Sequence, residues 1–229
     1  MAGVRLYRRP NRPACDEKQG DWPRSLGKDV ALMRALVVYE SMYGNTHAVA
    51  VSIAAGLSTR HDVTLVPVTR ATPELVAAAD LLVVGGPTHI HGMPSAASRR
   101  SAAEAARKQG SGLTMDPDAD GPGVRGWLEG LGSLGMPGRL GRLDLLGSGH
   151  DTLAVAFDTR LSGAPLLTGR ASRGISKLLA RHGYRLLTPP ESFLVSKHNT
   201  LLDGEAGRAR AWGATIGAAA SDLYAPTVA

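Results

Sequence analysis

Ser41, Gly44, Asn45 and Thr46 follow the apolar run Ala35-Leu36-Val37-Val38 and precede an Ala/Val-rich stretch. The segment Y-E-S-M-Y-G-N-T, residues 39–46, therefore predicts a buried strand end, a tight turn and a helix starting near Thr46. Such a junction can hold an anion. The first turn of a helix leaves N–H groups unpaired and carries partial positive charge, and Ser, Asn and Thr add side-chain donors. The segment has no Lys or Arg, so a phosphate there would rest on backbone and hydroxyl groups of Ser41, Met42, Tyr43, Gly44, Asn45 and Thr46. A plain strand-to-helix turn draws on the same residue types for its cap. Other phosphate loops fit worse: G-x-x-x-x-G-K-[ST] is absent, and no G-x-G-x-x-G follows this strand.

A second segment, D-L-L-V-V-G-G-P-T-H-I-H-G-M-P at 80–94, reads as another short buried strand followed by a Gly/Pro loop. The two segments lie about 40 residues apart, room for βα crossovers between them. Ser41-Met42-Tyr43-Gly44-Asn45-Thr46 resembles the flavodoxin pattern of a hydroxyl residue, two variable positions and Gly-Asn-Thr. Tyr43 stands where many flavodoxins carry Thr. Gly85-Gly86-Pro87-Thr88-His89 resembles the loop after the third strand of flavodoxins and related quinone reductases. The resemblance covers about residues 34–220. It implies a flavodoxin-like three-layer α/β sandwich with a five-stranded parallel sheet in the order 2-1-3-4-5. It also implies FMN as cofactor, with the loop at 41–46 around the phosphate.

In that family the flavin ring lies between the loops after strands three and four. Carried over, these are Pro87, Thr88, His89, Ile90, His91, Gly92 and Met93 on one side, and the loop opening with Asp158 and Thr159 on the other. Neither loop contains Trp or Tyr, the residues the family commonly stacks on the ring. The ring is thus expected to meet Thr88, His89, the Met93 sulfur and backbone. Family behaviour implies a peptide near His91-Gly92-Met93 whose hydrogen-bond direction changes with flavin redox state, and Gly92 would ease that change. The chemistry would be the cofactor's, with no catalytic side chain of the chain's own. The implied function is electron transfer to a redox partner protein or a small-molecule acceptor. An FMN-dependent NAD(P)H:quinone reductase and a flavin-free interaction domain of the same fold are the alternatives. A phosphorylatable receiver domain would need acidic residues after strands one and three, and Gly85-Gly86-Pro87 occupies the second place.

The rest of the chain supplies the elements that would position these loops. Strands are predicted at about 34–39, 62–68, 81–85 and 152–157, with a last one over 184–187 and 191–195 broken at Pro189-Pro190. Helices are predicted at about 46–59, 73–79, 95–109, 169–182 and 205–223. Thr72 is an N-cap before Pro73, and Val49, Ile53, Ala54 and Leu57 form one apolar face. Between 110 and 149 the chain is Gly-rich and carries Asp-Pro-Asp-Ala-Asp-Gly. This reads as a loop-rich insertion with a short helix near 124–131, ordered in part. Asp158–Thr168 is predicted to be a loop. The alternation of β and α implies a parallel sheet covered on both faces.

Residues 1–33 stand apart as a basic tail with no sustained apolar pattern, expected to be disordered or to precede the true start at Met33. Of the 26 Lys/Arg and 20 Asp/Glu in the chain, 19 and 16 lie beyond the tail. That residual excess is small and scattered, which argues against nucleic acid as a partner. It is nevertheless opposite in sign to the usual acidic flavodoxin, so either a protein partner is acidic or the chain is not a free electron shuttle. No secretory h-region or run of about 20 apolar residues occurs, so no membrane association is expected. The single Cys excludes an internal disulfide and fits a cytoplasmic protein. His89-x-His91 has no identifiable third ligand, and no metal is expected.

Overall fold

The computed structural model describes residues 4–6, 32–89, 91–133 and 152–224. Strand β1 (Val4–Leu6) is followed by β2 (Arg34–Tyr39), helix α1 (Asn45–Leu57), β3 (Asp62–Pro67), α2 (Pro73–Ala78) and β4 (Leu81–Pro87). Then come α3 (Ala96–Arg107), α4 (Val124–Ser133), β5 (Leu153–Leu161) and α5 (Pro165–Thr168). The chain continues through α6 (Ala171–Arg181), β6 (Arg185–Leu186), β7 (Glu191–Val195) and α7 (Glu205–Tyr224).

All strand pairs are parallel, in the order β1-β3-β2-β4-β5-β6, with β7 also on β5. Counted from β2, this is the order 2-1-3-4-5. The two halves of the last position are divided at Pro189-Pro190, because proline cannot donate to a ladder.

Alternation along β2 builds two cores. Ala35, Val37 and Tyr39 face Val49, Ile53 and Leu57 of α1 and Ala209 and Ile216 of α7. Leu36 and Val38 face Val76 of α2, Val124 and Leu128 of α4, and Ile175 and Leu179 of α6. Helices α1 and α7 meet backbone to backbone. A Cβ on Gly56 would collide with the Arg210 carbonyl, and one on Gly213 with that of Ile53. Both positions therefore require glycine.

Three boundaries differ from the sequence reading. β5 continues through Leu161, so Asp158 and Thr159 lie in the strand and not in a loop. Asp158 reads as a polar stop, yet its backbone is paired on both sides, with Gly86 and Ser192. β4 likewise extends past Gly85 to Gly86 and Pro87, because these residues pair with Asp158 and Thr159 of β5. Third, β1 adds three residues of the tail to the β3 edge, a segment too short to show a pattern in sequence. In the 110–149 region, residues 110–123 form a loop leading into α4, while the part beyond 133 lies outside the described residues.

Candidate functional site

The two segments first picked out on chemical grounds converge at the C-terminal ends of the strands, where open parallel sheets place their ligand crevice. A cleft of about 180 Å³ lies there, lined by Met42, Tyr43, Asn45, Thr46, Pro87, Thr88, His89, Thr159, Arg160, Leu161, Val195 and Asn199. One wall is the β2–α1 turn. Gly44 takes the left-handed conformation, φ 89°, which delivers the chain into α1 without a side-chain cap. The N–H groups of Asn45, Thr46 and His47 consequently have no partner among the described residues. Ser41 is buried and its Oγ accepts the Gly44 N–H at 3.0 Å, so it shapes the turn from inside. The turn is also braced from below. The Asp116 N–H donates to the Met42 carbonyl at 2.8 Å, and the His47 ring stacks on Tyr39 at 4.7 Å.

The polar side chains of this wall are already engaged within the protein. Thr46 and Thr159 hydroxyls are buried and 2.7 Å apart. Asn45 Nδ2 donates to both the backbone and side-chain oxygens of Asn199, at 2.9 and 3.2 Å. Asn199 itself is left-handed, φ 57°. Tyr43 lines the cleft, but its hydroxyl donates to the Ala102 carbonyl of α3. What remains to meet a ligand is chiefly the free N–H groups of the helix start and the hydroxyl lone pairs. That donor set suits a phosphate.

Glu40 ties the same turn to the opposite face. Its Oε2 accepts the Val124 N–H at the start of α4, and Arg99 Nε lies 2.9 Å from Oε1. Burial pushes the Glu40 carboxyl above the usual range, against the pull of Val124 and Arg99.

The opposite wall differs from the expectation. Thr88 and His89 line the cleft, and Ile90 lies outside the described residues. His91, Gly92 and Met93 do not line it. His89 and Gly92 exchange backbone hydrogen bonds across a tight turn. The left-handed residue of that turn is His91, φ 67°, and not Gly92. The turn is backed by Gly169, where a Cβ would collide with the His91 backbone. Met93 is turned into the core against Gly174 of α6, which removes its sulfur from the ring-contact role assigned to it. Asp158 is fully buried and accepts the Ser172 N–H at 2.7 Å, while Thr88 Oγ1 accepts that of Ala171. Together they cap α6. Asp158 thus serves a helix N-terminus and not the cleft, as a carboxylate at the positive end of a helix dipole should.

Arg160, Leu161, Val195 and Asn199 complete the lining and were not singled out from sequence. Arg160 and Leu161 follow from the extension of β5, and Asn199 from the turn after β7. Trp127 donates its Nε1–H to the Ala71 carbonyl and packs on the α2–α4 face, outside the cleft lining. Among the described residues, no group of three or more His, Cys, Asp or Glu could hold a metal ion, and no helix is long and apolar enough to cross a membrane.

Comparison with known proteins agrees with this architecture. Residues 37–139 match the flavodoxin family model. Similar solved structures include oxidised flavodoxin 1 from Bacillus cereus, at 14% identity and TM-score 0.52, with 80% of this chain and 96% of that one covered. A flavodoxin from the domain Archaea aligns at 17% identity and TM-score 0.51 over 82% of this chain and 99% of that one. The rubredoxin oxygen:oxidoreductase of Desulfovibrio gigas aligns at 16% identity and TM-score 0.51, over 84% of this chain and 37% of that longer one. At these identities the structural likenesses speak to fold alone. No curated protein matches the chain. The strand order 2-1-3-4-5, the S-M-Y-G-N-T turn and the family match over residues 37–139 together support membership of the flavodoxin family.

Proposed function

We propose that this chain binds FMN in the cleft and passes electrons to a redox partner protein or a small-molecule acceptor. The observation that carries the reading is the uncapped start of α1. Three consecutive N–H groups, at Asn45, Thr46 and His47, have no partner among the described residues at the helix start, where Asn45, Thr46 and Thr159 line the cleft. Such a group of donors is stabilised by an anion, and a phosphate monoester supplies the charge and the acceptor oxygens.

Bound FMN would supply reversible electron uptake at its ring. The chain's part is to fix the phosphate at the α1 turn. The ring would lie against Thr88, His89 and the end of β5. Pro87 and Thr159, paired across β4 and β5, form the floor between these two ends. Among the described residues, Tyr43 and His89 bring the aromatic rings that line the cleft. With its hydroxyl tied to Ala102, Tyr43 is held on the α3 side.

The deciding measurement is the visible spectrum of the protein purified from cells, followed by titration of any colourless fraction with FMN. A flavin spectrum, or its appearance on titration, is the expected result. Protein that stays colourless with excess FMN would instead identify a flavodoxin-fold interaction domain.

A further inference from the structure

Among the described residues, Arg160 is the least accounted-for charge. It is 8% exposed and lines the cleft, yet it forms no ion pair among the described residues. Its Nη1 donates to the carbonyls of Leu161 at 3.2 Å and Gly163 at 2.9 Å, and to Thr168 Oγ1 at 3.0 Å. Its Nε is buried without a hydrogen-bond partner. Guanidinium groups are rarely this buried unless a carboxylate or phosphate answers them, because removing the charge from water is costly. Asp158 and Glu205 are near enough to act on Arg160 through space, and Asp158 Oδ1 is buried without a hydrogen-bond partner, but neither carboxyl forms an ion pair with it. Asp158 binds the start of α6, and Glu205 is bound by Arg208, which also pairs with Glu191. Arg170 adds a further positive charge nearby, and burial lowers the Arg160 pKa.

The direction of the side chain says which end of the cleft it serves. All three oxygens bonded to Nη1 belong to residues 161–168, and none belongs to the α1 turn at residues 41–47. The phosphate end, in contrast, has its own donors. We infer that Arg160 is the counter-charge for negative charge that a flavin ring acquires on reduction, so that the cleft holds the reduced cofactor more tightly than the oxidised one. This rests on the FMN reading above. At neutral pH the ring gains two electrons and one proton, and so one net negative charge. A fixed, largely buried cation interacts more strongly with that form. Arg160 then acts by charge on the ring, in addition to fastening the 161–168 loop. It would make this protein a better electron acceptor than the same fold with a neutral residue there.

The test compares Arg160→Gln and Arg160→Lys with the unaltered protein. The readouts are FMN and riboflavin affinities in the oxidised state and after dithionite reduction, the midpoint potential, and thermal stability. Potential and affinity ratio are linked by a thermodynamic cycle, so each checks the other. In R160Q the preference for reduced flavin should fall by about tenfold or more, the scale of one charge-assisted interaction. The midpoint potential should become more negative, and oxidised FMN affinity should change little. R160K, which keeps the charge, should retain most of the preference. Equal losses in both redox states, confined to FMN and spared with riboflavin, would assign Arg160 to the phosphate and overturn the inference. An equal shift of potential in R160K and R160Q would attribute the effect to the loop and overturn it too. Failure of the unaltered protein to bind FMN at all would instead sink the FMN reading itself.

Discussion

The two walls of the cleft are built on different principles. The α1 wall is local: residues 41–47 form a turn, a left-handed glycine and a helix start, and the donors for a ligand come from that one segment. The opposite wall is composite. It joins the ends of β4 and β5, the 161–168 segment and the turn after β7, and its most distinctive group, Arg160, is held by three oxygens of the 161–168 segment. A wall made of N–H groups recognises an anion of fixed charge. A wall carrying a buried cation beside apolar Leu161 and Val195 can respond to a charge that changes. The comparison suggests a division of labour, with anchoring at one end and redox tuning at the other.

The largest test of that division removes the anchor from the ligand. Riboflavin lacks the phosphate and with it the charge-assisted bonds to the α1 start. Two such bonds, at about 1.5–3 kcal/mol each, predict a preference for FMN over riboflavin of about a hundredfold or more. Fluorescence titration of both ligands checks this. Similar affinities would show that the ring wall is the anchor and would reverse the roles assigned to the two ends.

The next test alters the anchor in the protein. Thr46→Val keeps the shape and deletes a hydroxyl that is buried and 2.7 Å from the Thr159 hydroxyl. FMN affinity should fall by about 1.5–3 kcal/mol, and the FMN-to-riboflavin ratio should narrow with it. Stability should fall as well, by about 1–3 kcal/mol, because Thr159 Oγ1 is left without its partner. A fall in affinity for both ligands alike would mean that the pair supports the floor of the cleft and not the phosphate.

Local and composite construction also explain what could be read in the sequence. The Ser41–Thr46 turn was legible because its pattern, strand end, small residues and helix start, lies within eight residues. The parallel sheet was legible because each buried strand of the five is bounded by a turn and followed by a helix, whereas the order 2-1-3-4-5 rested on the flavodoxin resemblance. Arg160 was not legible, because a lone arginine after a short apolar strand has the same appearance whether it ends the strand or lies inside a cleft. Only the pairing of Asp158, Thr159 and Arg160 with β7 decides it. Asp158 and Met93 were assigned to the ring from their loops. Backbone pairing and the approach of α6 turned the first into a helix cap and the second into core.

The walls should also differ in their response to acid. Glu40, beside the α1 turn, has a carboxyl raised by burial, despite the opposing Val124 N–H and Arg99. Folding therefore holds its proton more tightly than the unfolded chain does, so its contribution to stability declines as pH rises from about 4.3 through the raised folded value. Glu205, on α7 behind the opposite wall, is raised by burial but lowered more by Arg208 and the Leu194 N–H, for a net lowering. Its contribution is present above the unfolded pKa and is lost as pH falls through the lowered folded value. Melting curves of the unaltered protein, Glu40→Gln and Glu205→Gln between about pH 3 and pH 7 separate the two. E40Q should lose the decline on raising pH, and E205Q should lose part of the decline on acidification. Difference profiles of the same sign would contradict the assignment.

The smallest effect should come from a region that touches neither wall. Among the described residues β1 pairs with β3 alone, and β3 separates it from β2. Its three residues can contribute few ladder bonds at about 1 kcal/mol each, offset by the entropy of ordering them. A chain starting at Met33 should thus lose on the order of 1 kcal/mol or less, a shift in Tm of about 2–4 °C for a chain of this size. FMN affinity and midpoint potential should be unchanged, since removing β1 alters no group that lines the cleft. Differential scanning calorimetry and FMN titration of the truncated chain measure both. A drop in Tm well beyond that range would make the tail part of the folding unit. A change in potential without a change in Tm would mean that the tail reaches the ring wall, and the sharp separation between anchor and tuning regions would have to be given up.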